Sequence, residues 1–172
     1  LTLFYMDRSD QQVRGSLVIP RSDGSTAFVD YTDNAASGSN VGLEWELRAR
    51  AHETLELYMN LGLLRARFDD YINADGVDLS DRDQAHAPRY QFATGLSYYP
   101  TATLRADLQW EGRDSFYFSD RHDARSGSYT LVHARIAYEQ PRWELALWAR
   151  NLTDKDYEIR GFGSFGNDPR KG

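Results

Sequence analysis

The most constraining feature of this chain is a set of segments in which apolar and polar residues alternate. In the clearest segment, residues 104–113, the even positions through 110 are apolar and the odd positions are all charged or amide residues. A repeat of two sends successive side chains to opposite faces of a sheet, whereas a helix repeats every 3.6 residues. The same repeat is present at residues 41–50, 55–63, 90–98, 132–138 and 143–150, and less regularly at 1–8. We therefore predict seven β-strands.

The connections between these segments are of two kinds. Short turns are expected near residues 50–54, 99–103 and 139–142, and long polar connections near 9–36, 68–88, 113–128 and from 152 onward. Strands of about ten alternating residues, with short turns on one side and long loops on the other, are typical of transmembrane β-barrels. The sequence thus predicts an all-β fold, an antiparallel up-and-down transmembrane β-barrel segment of about seven strands.

Aromatic residues cluster near the expected strand ends, as in the two interfacial girdles of a membrane barrel. The girdle beside the short turns is predicted to contain Tyr98, Tyr99, Tyr138 and Trp143. The girdle at the opposite ends is predicted to contain Phe116, Tyr117, Phe118 and Tyr129.

Composition narrows the function classes. The net charge of −6 disfavours a nucleic-acid partner, and the absence of cysteine excludes disulfides. The mean hydropathy of −0.66 suits a barrel, in which only every second residue faces lipid, as well as a soluble protein. The chain begins without Met and ends at Gly172 without a closing strand, so we expect a piece of a longer protein.

We find no set of residues that indicates an enzyme, a metal site or a cofactor. A nucleophile elbow and a phosphate-binding loop are both missing, and no pair among the many carboxylates stands out. The glycine pattern at residues 161–166 matches a dinucleotide fingerprint, but Asn167, Asp168 and Pro169 follow where a helix would be needed. We interpret it as an extracellular loop.

The most distinctive motif of the chain is the Asn-Leu-Thr-Asp-x-x-Tyr element at residues 151–157. It resembles an element late in the barrel of TonB-dependent outer-membrane receptors. Looser resemblances, in family order, are at residues 41–44, 86–91, 112–117 and 161–170.

The resemblance implies a larger, 22-stranded barrel with a plugged lumen, of which residues 1–172 would form a C-terminal portion, without the plug domain and the last strand. It implies TonB-dependent active transport of a scarce nutrient, chiefly a ferric siderophore or another iron complex, across a Gram-negative outer membrane. The expected partners are outer-membrane lipid, the small-molecule iron complex, and TonB through the N-terminal region.

The strand pattern, rather than the resemblance, supplies candidates for ligand contact. They are charged or aromatic residues on the polar face or at its outer rim, and arginine and aromatic groups suit anionic ligands. The candidates are Arg105, Arg113, Asp114, Tyr117, Arg135 and Arg150. The alternative for each is a structural role in a hydrogen-bonded network along the barrel wall.

Two other functions fit the same pattern. A passive outer-membrane channel or adhesin barrel would have the same strands but no plug. A soluble β-sheet binding domain would bury the faces that contain Leu57 and Leu108 in a core.

Overall fold

The computed structural model describes residues 1–73, 76–120 and 122–161, and it forms one antiparallel sheet. The strands are β1 (Thr2–Pro20), β2 (Thr26–His52), β3 (Leu55–Asp70), β4 (Tyr90–Thr101), β5 (Leu104–Arg113), β6 (Tyr129–Gln140) and β7 (Trp143–Ala149). Their order in the sheet is their order in the chain. In this described part, no helix is long and apolar enough to cross a membrane. The predicted all-β, up-and-down arrangement is confirmed.

The predicted short turns are confirmed as well. His52 and Leu55 bound the turn between β2 and β3, and the next two turns lie between Thr101 and Leu104 and between Gln140 and Trp143. All three lie at the same end of the sheet because consecutive strands are antiparallel. The long connections after β3 and β5 therefore lie at the other end.

The two faces of the sheet differ sharply in polarity. The register places Leu57, Leu96, Leu108 and Ala134 side by side on what we call the apolar face. Leu57 is 38% exposed and Leu108 is 44% exposed. A soluble domain would bury these side chains, because their burial is the main stabilising term in folding. Their exposure across neighbouring strands instead fits a face that contacts lipid.

The height of the apolar face agrees with this interpretation. On β3 it extends from Leu55 to Leu63, and these nine residues cover about 27–30 Å of strand. A strand tilt of about 40° reduces that to a height of about 22 Å, close to the apolar band of about 25 Å in membrane barrels.

The aromatic girdles are predicted correctly only in part. Tyr98, Tyr138 and Trp143 lie exposed on the apolar face beside the short turns. Tyr99 lies on the other face, where its hydroxyl is 3.4 Å from Glu56 Oε2, because adjacent strand residues alternate.

The predicted girdle at the other end is wrong. Phe116 and Phe118 are each 3% exposed and pack edge to face in the connection after β5. Tyr129 lies on the polar face, and its ring stacks 4.5 Å from that of Tyr157. Among the described side chains, Trp110 and Tyr5 are exposed aromatic residues on the apolar face toward this end.

The predicted long connection at residues 9–36 is also wrong. β1 and β2 continue through it as a hairpin that turns between Pro20 and Thr26. Ser37 is the β2 residue nearest the hairpin turn that still pairs with β3. Between Ser37 and the turn, β1 and β2 pair only with each other. At about 3.3 Å per residue, this two-stranded arm projects about 35 Å beyond the sheet.

The stretch with the strongest family resemblance turns the chain after β7. Asn151 has a φ of 51°, a left-handed conformation that Asn adopts more readily than most residues. Its Oδ1 accepts from the Lys155 N–H at 3.0 Å, and its Nδ2 donates to the Lys155 carbonyl at 3.1 Å. The geometry of this turn thus explains why an asparagine occupies position 151. The glycine pattern beyond Gly161 lies outside the described residues.

The apolar face makes a prediction for Leu108, at the middle of β5. In the whole protein, Leu108→Arg is expected to lower the free energy of unfolding from a bilayer by about 2–4 kcal/mol, because the charge enters hydrocarbon near the midplane. Leu108→Ala, which removes packing without adding charge, is the control. Folding titrations in lipid vesicles give both values, and an equal loss for the two variants would contradict a lipid-facing Leu108.

Candidate functional site

The polar face of the sheet contains a chain of ion pairs near the short-turn end. On β5, Arg105 Nε donates to Asp107 Oδ1 at 2.8 Å. Asp107 also accepts from Ser97 on β4, at 2.6 Å, and lies 3.5 Å from Arg135 on β6. Arg135 completes the chain through an ion pair with Glu144 on β7. The two candidates Arg105 and Arg135 are therefore engaged in contacts that join four strands.

Farther along β5, toward the long connections, the Glu111 carboxylate also has partners on the polar face. Its Oε2 accepts from Gln109 Nε2 at 3.0 Å, and its Oε1 lies 3.4 Å from His133 Nε2. The other His133 nitrogen, Nδ1, accepts from the Asn151 N–H at 3.1 Å, which places the ring proton on Nε2, facing Glu111. The contacts of His133 therefore link β5 and β6 to the turn after β7.

Arg113 differs in its contacts from Arg105 and Arg135, which lie closer to the short-turn end and form ion pairs. Its guanidinium carbon lies 4.6 Å from the centroid of the Phe116 ring and 5.1 Å from that of Tyr129. Its Nε and Nη2 atoms are buried and have no hydrogen-bond partner among the described residues. The candidate at the outer end of β5 is thus held by rings rather than by a carboxylate.

A hollow of about 290 Å³ lies beside Arg113. Its polar lining comes from β3, β4, β5 and β6, namely Asn60, Gln91, Glu111, Arg113 and Tyr129. A second hollow of about 450 Å³ lies over the ion-pair chain, between Tyr58 and Trp148. Sequence patterning placed Asn60, Gln91, Glu111 and Arg113 on the polar face but assigned Tyr129 to a girdle. Only the register brings Asn60 and Gln91 near Arg113.

The remaining candidates lie at the rim. Asp114 directly follows β5; its N–H donates to the Tyr90 carbonyl at 2.9 Å and its side chain accepts from the Ser115 N–H. Arg150 follows β7 and lies 5.6 Å from the Trp148 ring, beside the second hollow. Tyr117 is farther out, in the connection after β5.

The connection after β3, residues 71–89, is folded against the sheet rather than free. Its returning arm pairs with the upper end of β3, where the Phe68 N–H donates to the Arg82 carbonyl and the Gln84 N–H to the Ala66 carbonyl, both at 3.0 Å. Phe68 packs in a small buried cluster with Ala36, Tyr71 and Leu79. This arm supplies a partner for part of β3 that β4 does not reach.

Acidic residues of this connection have structural partners. Asp83 accepts from Arg67 at 3.1 Å and from Arg89 at 2.8 Å. In the described ranges, no group of three or more His, Asp or Glu residues could hold a metal ion.

The two long connections dock onto each other through Arg82. Its guanidinium lies 4.0 Å from the centroid of the Tyr117 ring, and Arg125 lies 4.4 Å from the same ring. Arg82 also donates to the Ser119 carbonyl and forms a 3.1 Å ion pair with Asp123. The candidate Tyr117 therefore contacts two arginines, and no sequence pattern indicated a role for Arg82.

A second contact between the connections involves Asp120. The Ala85 N–H donates to Asp120 Oδ1 at 3.3 Å, and the neighbouring His86 N–H donates to the Tyr117 carbonyl at 2.9 Å. Burial raises the pKa of the Asp120 carboxyl above its ordinary value, against the opposing effects of the Ala85 N–H, Arg82 and His86. Docking therefore favours the protonated carboxyl.

Together, an exposed apolar face, a polar face with internal ion pairs and docked long connections define a class of protein: the chain is a wall segment of a membrane β-barrel. The family model described as "TonB dependent receptor-like, beta-barrel" matches residues 1–152. The chain belongs to this family of transport receptors, which is found in the outer membrane of Gram-negative bacteria.

Two solved structures share the fold. The ferric yersiniabactin uptake receptor FyuA from Yersinia pestis matches 95% of this chain with a TM-score of 0.73 and 19% sequence identity. The ferric-catecholate import receptor Fiu from E. coli K12, in its closed form, matches 90% with a TM-score of 0.63 and 18% identity. The chain spans 23% and 20% of the length of these two proteins.

The docking of the connections depends on Arg82, whose side chain is only 11% exposed. Arg82→Ala in the whole receptor is expected to destabilise the docked state by about 1–3 kcal/mol, because it removes the charged donor from part-buried carbonyls. Arg89→Ala is the control: this arginine is exposed, and its ion pair contributes less than about 1 kcal/mol. Hydrogen exchange at residues 81–86 measures both effects. Unchanged protection in Arg82→Ala would contradict docking through Arg82.

The raised pKa of Asp120 gives docking a pH dependence. Docking is expected to be strongest below the ordinary Asp pKa of about 3.9 and to weaken as pH rises through the higher value in the docked state. Asp120→Asn should remove this dependence, because the amide oxygen still accepts from the Ala85 N–H but no longer titrates. Hydrogen exchange of the Ala85 and His86 amides, corrected for intrinsic rates, tests the direction of this pH dependence. Docking that strengthens with rising pH would contradict the prediction.

Proposed function

We propose that the whole protein containing this chain takes up an iron complex, such as a ferric siderophore, across the outer membrane of a Gram-negative bacterium, with energy supplied through TonB. The chain contributes a C-terminal part of the barrel wall. A plug domain and a TonB-contacting segment belong to other parts of the protein in this proposal. The apolar face contacts outer-membrane lipid, and the polar face lines the passage.

The observation that carries this proposal is the arrangement at the outer end of the polar face. There, β5 ends at Arg113, Phe116 of the connection that follows contacts its guanidinium, and its positive charge has no carboxylate partner among the described residues. Below this level, the charges of Arg105 and Arg135 are already neutralised by Asp107 and Glu144. A free positive charge beneath ordered outer segments is suited to capturing a negatively charged molecule.

The comparisons support the choice of cargo. Both similar structures are receptors named for iron complexes, one for ferric yersiniabactin and one for ferric catecholate. Their 18–19% identity to this chain supports a shared architecture, so the class of cargo is proposed from their names together with the family match.

Uptake in the native bacterium tests the function. Deleting the gene for the whole protein is expected to abolish uptake of at least one radiolabelled iron complex from a panel of catecholate, hydroxamate and carboxylate complexes. Restoring the gene should restore that uptake in a strain with TonB but not in a strain without it. The control is uptake of a small sugar through general porins, which should be the same in all strains.

Two results would contradict the proposal. Uptake that depends on the gene but not on TonB would indicate a passive channel. Uptake of every iron complex at the wild-type rate in the deletion strain would remove iron transport as the function.

A further inference from the structure

The outward side of β3 changes from apolar to positively charged where the apolar face ends. Leu63 is the last apolar residue of this face on β3, and the next two residues on the same side are Arg65 and Arg67. Both arginines point away from the polar face, because successive strand residues alternate between the two sides. Ala66 and Phe68, which alternate with them, are buried on the other side. Arginine therefore borders the apolar face toward the long connections.

The position of Arg65 corresponds to the headgroup region of a membrane. Two residues of strand separate it from Leu63, a distance of about 7 Å, or about 5 Å of height at a strand tilt of about 40°. The polar part of a bilayer leaflet extends roughly 5–7 Å beyond the hydrocarbon. Tyr5, which is 69% exposed, lies in the same cross-strand row as Arg65, with Val41 between them. Interfacial tyrosines mark the same headgroup level.

Positive charge is in excess at this border. Among the described residues, the exposed Arg65 side chain forms no ion pair. Arg67 and Arg89 share the carboxylate of Asp83, at 3.1 and 2.8 Å, and that carboxylate is only 12% exposed. The contact of Arg67 uses Nε, so its two terminal nitrogens remain for another acceptor. Three arginines thus have one carboxylate among them.

Two further acidic residues of this side lie farther from the apolar face. Asp69 is the next outward-facing residue after Arg67, and its carboxylate lies 3.3 Å from the Ser39 hydroxyl. Asp7 pairs with Ser39 across β1 and β2, one outward-facing position beyond Tyr5. Both acidic groups therefore lie beyond the row of Arg65. An anion held at the membrane surface meets this arginine first, whereas an anion that approaches from solvent meets the two carboxylates.

We propose that Arg65, together with Arg67 and Arg89, binds a phosphate group of an outer-leaflet lipid. The proposal rests on the outer-membrane placement in the proposed function and extends it by assigning a lipid headgroup to a site on the outward side of the wall. The planar guanidinium donates two parallel hydrogen bonds to phosphate, while the alkyl part of the side chain packs against apolar surface. Asp83 and Arg89 belong to the connection after β3, so this connection would lie beside the bound headgroup.

Lipid binding to the purified full-length receptor tests the site. The probes are lipid A, a glycolipid with two phosphate groups, and the same lipid with both phosphates removed. Native mass spectrometry after titration in detergent micelles gives the dissociation constants. Arg65→Gln is expected to weaken binding of the phosphorylated lipid about fivefold, and the double variant with Arg67→Gln roughly 25-fold, as for loss of interfacial arginines. Arg65→Lys, which keeps the charge but not the planar fork, should lose less affinity.

Two control variants separate the site from general charge effects. Arg142→Gln removes the same charge from an exposed arginine in the turn between β6 and β7, at the opposite end of the sheet. Its affinity for the phosphorylated lipid is expected to stay within about twofold of wild type. Asp69→Asn, which keeps an oxygen for the Ser39 hydroxyl, should not weaken binding. Thermal unfolding of each variant establishes that it is folded.

Each outcome decides for or against the site. Selective loss of the phosphorylated lipid in Arg65→Gln, with affinity for the dephosphorylated lipid unchanged, supports it. Equal wild-type affinity for the two lipids, an equal loss in Arg142→Gln, or unchanged affinity in the double variant would overturn it. Displacement of the lipid by millimolar inorganic phosphate would indicate a general anion site and also overturn it. Gene-dependent uptake of an iron complex would still support the proposed function in each of these cases.

Discussion

Hydrogen bonding between neighbouring backbones is the interaction on which the rest of this structure depends. In hydrocarbon, an unpaired N–H or C=O group costs several kcal/mol, so each strand needs a partner along each edge. Strands β2 to β6 have a neighbour on both sides, and the returning arm of residues 71–89 extends that pairing along the top of β3. Because the backbone is satisfied within the sheet plane, the side chains of the two faces can adapt to different surroundings, lipid on one side and polar groups on the other.

The membrane also explains which parts of the fold are predictable from sequence. Where one face contacts lipid, every second residue must be apolar, and the strands around Leu57 and Leu108 are visible as a repeat of two. In the β1–β2 arm beyond Ser37, β3 no longer pairs with the hairpin, and neither strand keeps a consistently apolar face. The strands continue there as a backbone-paired hairpin without that repeat, so sequence patterning misidentified the arm as a loop. Phe116 was misplaced for a related reason, since its burial depends on how a connection folds back.

The contacts of the candidate site likewise divide into those that the sequence predicts and those that it does not. Arg105 and Asp107 are two residues apart on one strand, so their contact follows from the repeat. The pairing of Arg135 with Glu144 depends on strand register, which one sequence does not specify. The isolation of Arg113 depends on Phe116 and Tyr129 converging from two elements, and no spacing in the chain indicates it. The ligand-contact assignments for all six candidates stay predictions.

The mutual docking of the two outer connections has a consequence for the thermodynamics of capture. Fixing the backbone of a free loop costs about 1–2 kcal/mol per residue in conformational entropy, and a receptor whose loops order around their cargo gives up that amount from its binding energy. Here the contacts of Arg82, Tyr117 and Asp120 hold the connections together within the chain itself. The entropic cost of ordering these connections is therefore met when the protein folds, and under the proposed function little of the contact energy of capture is lost to ordering.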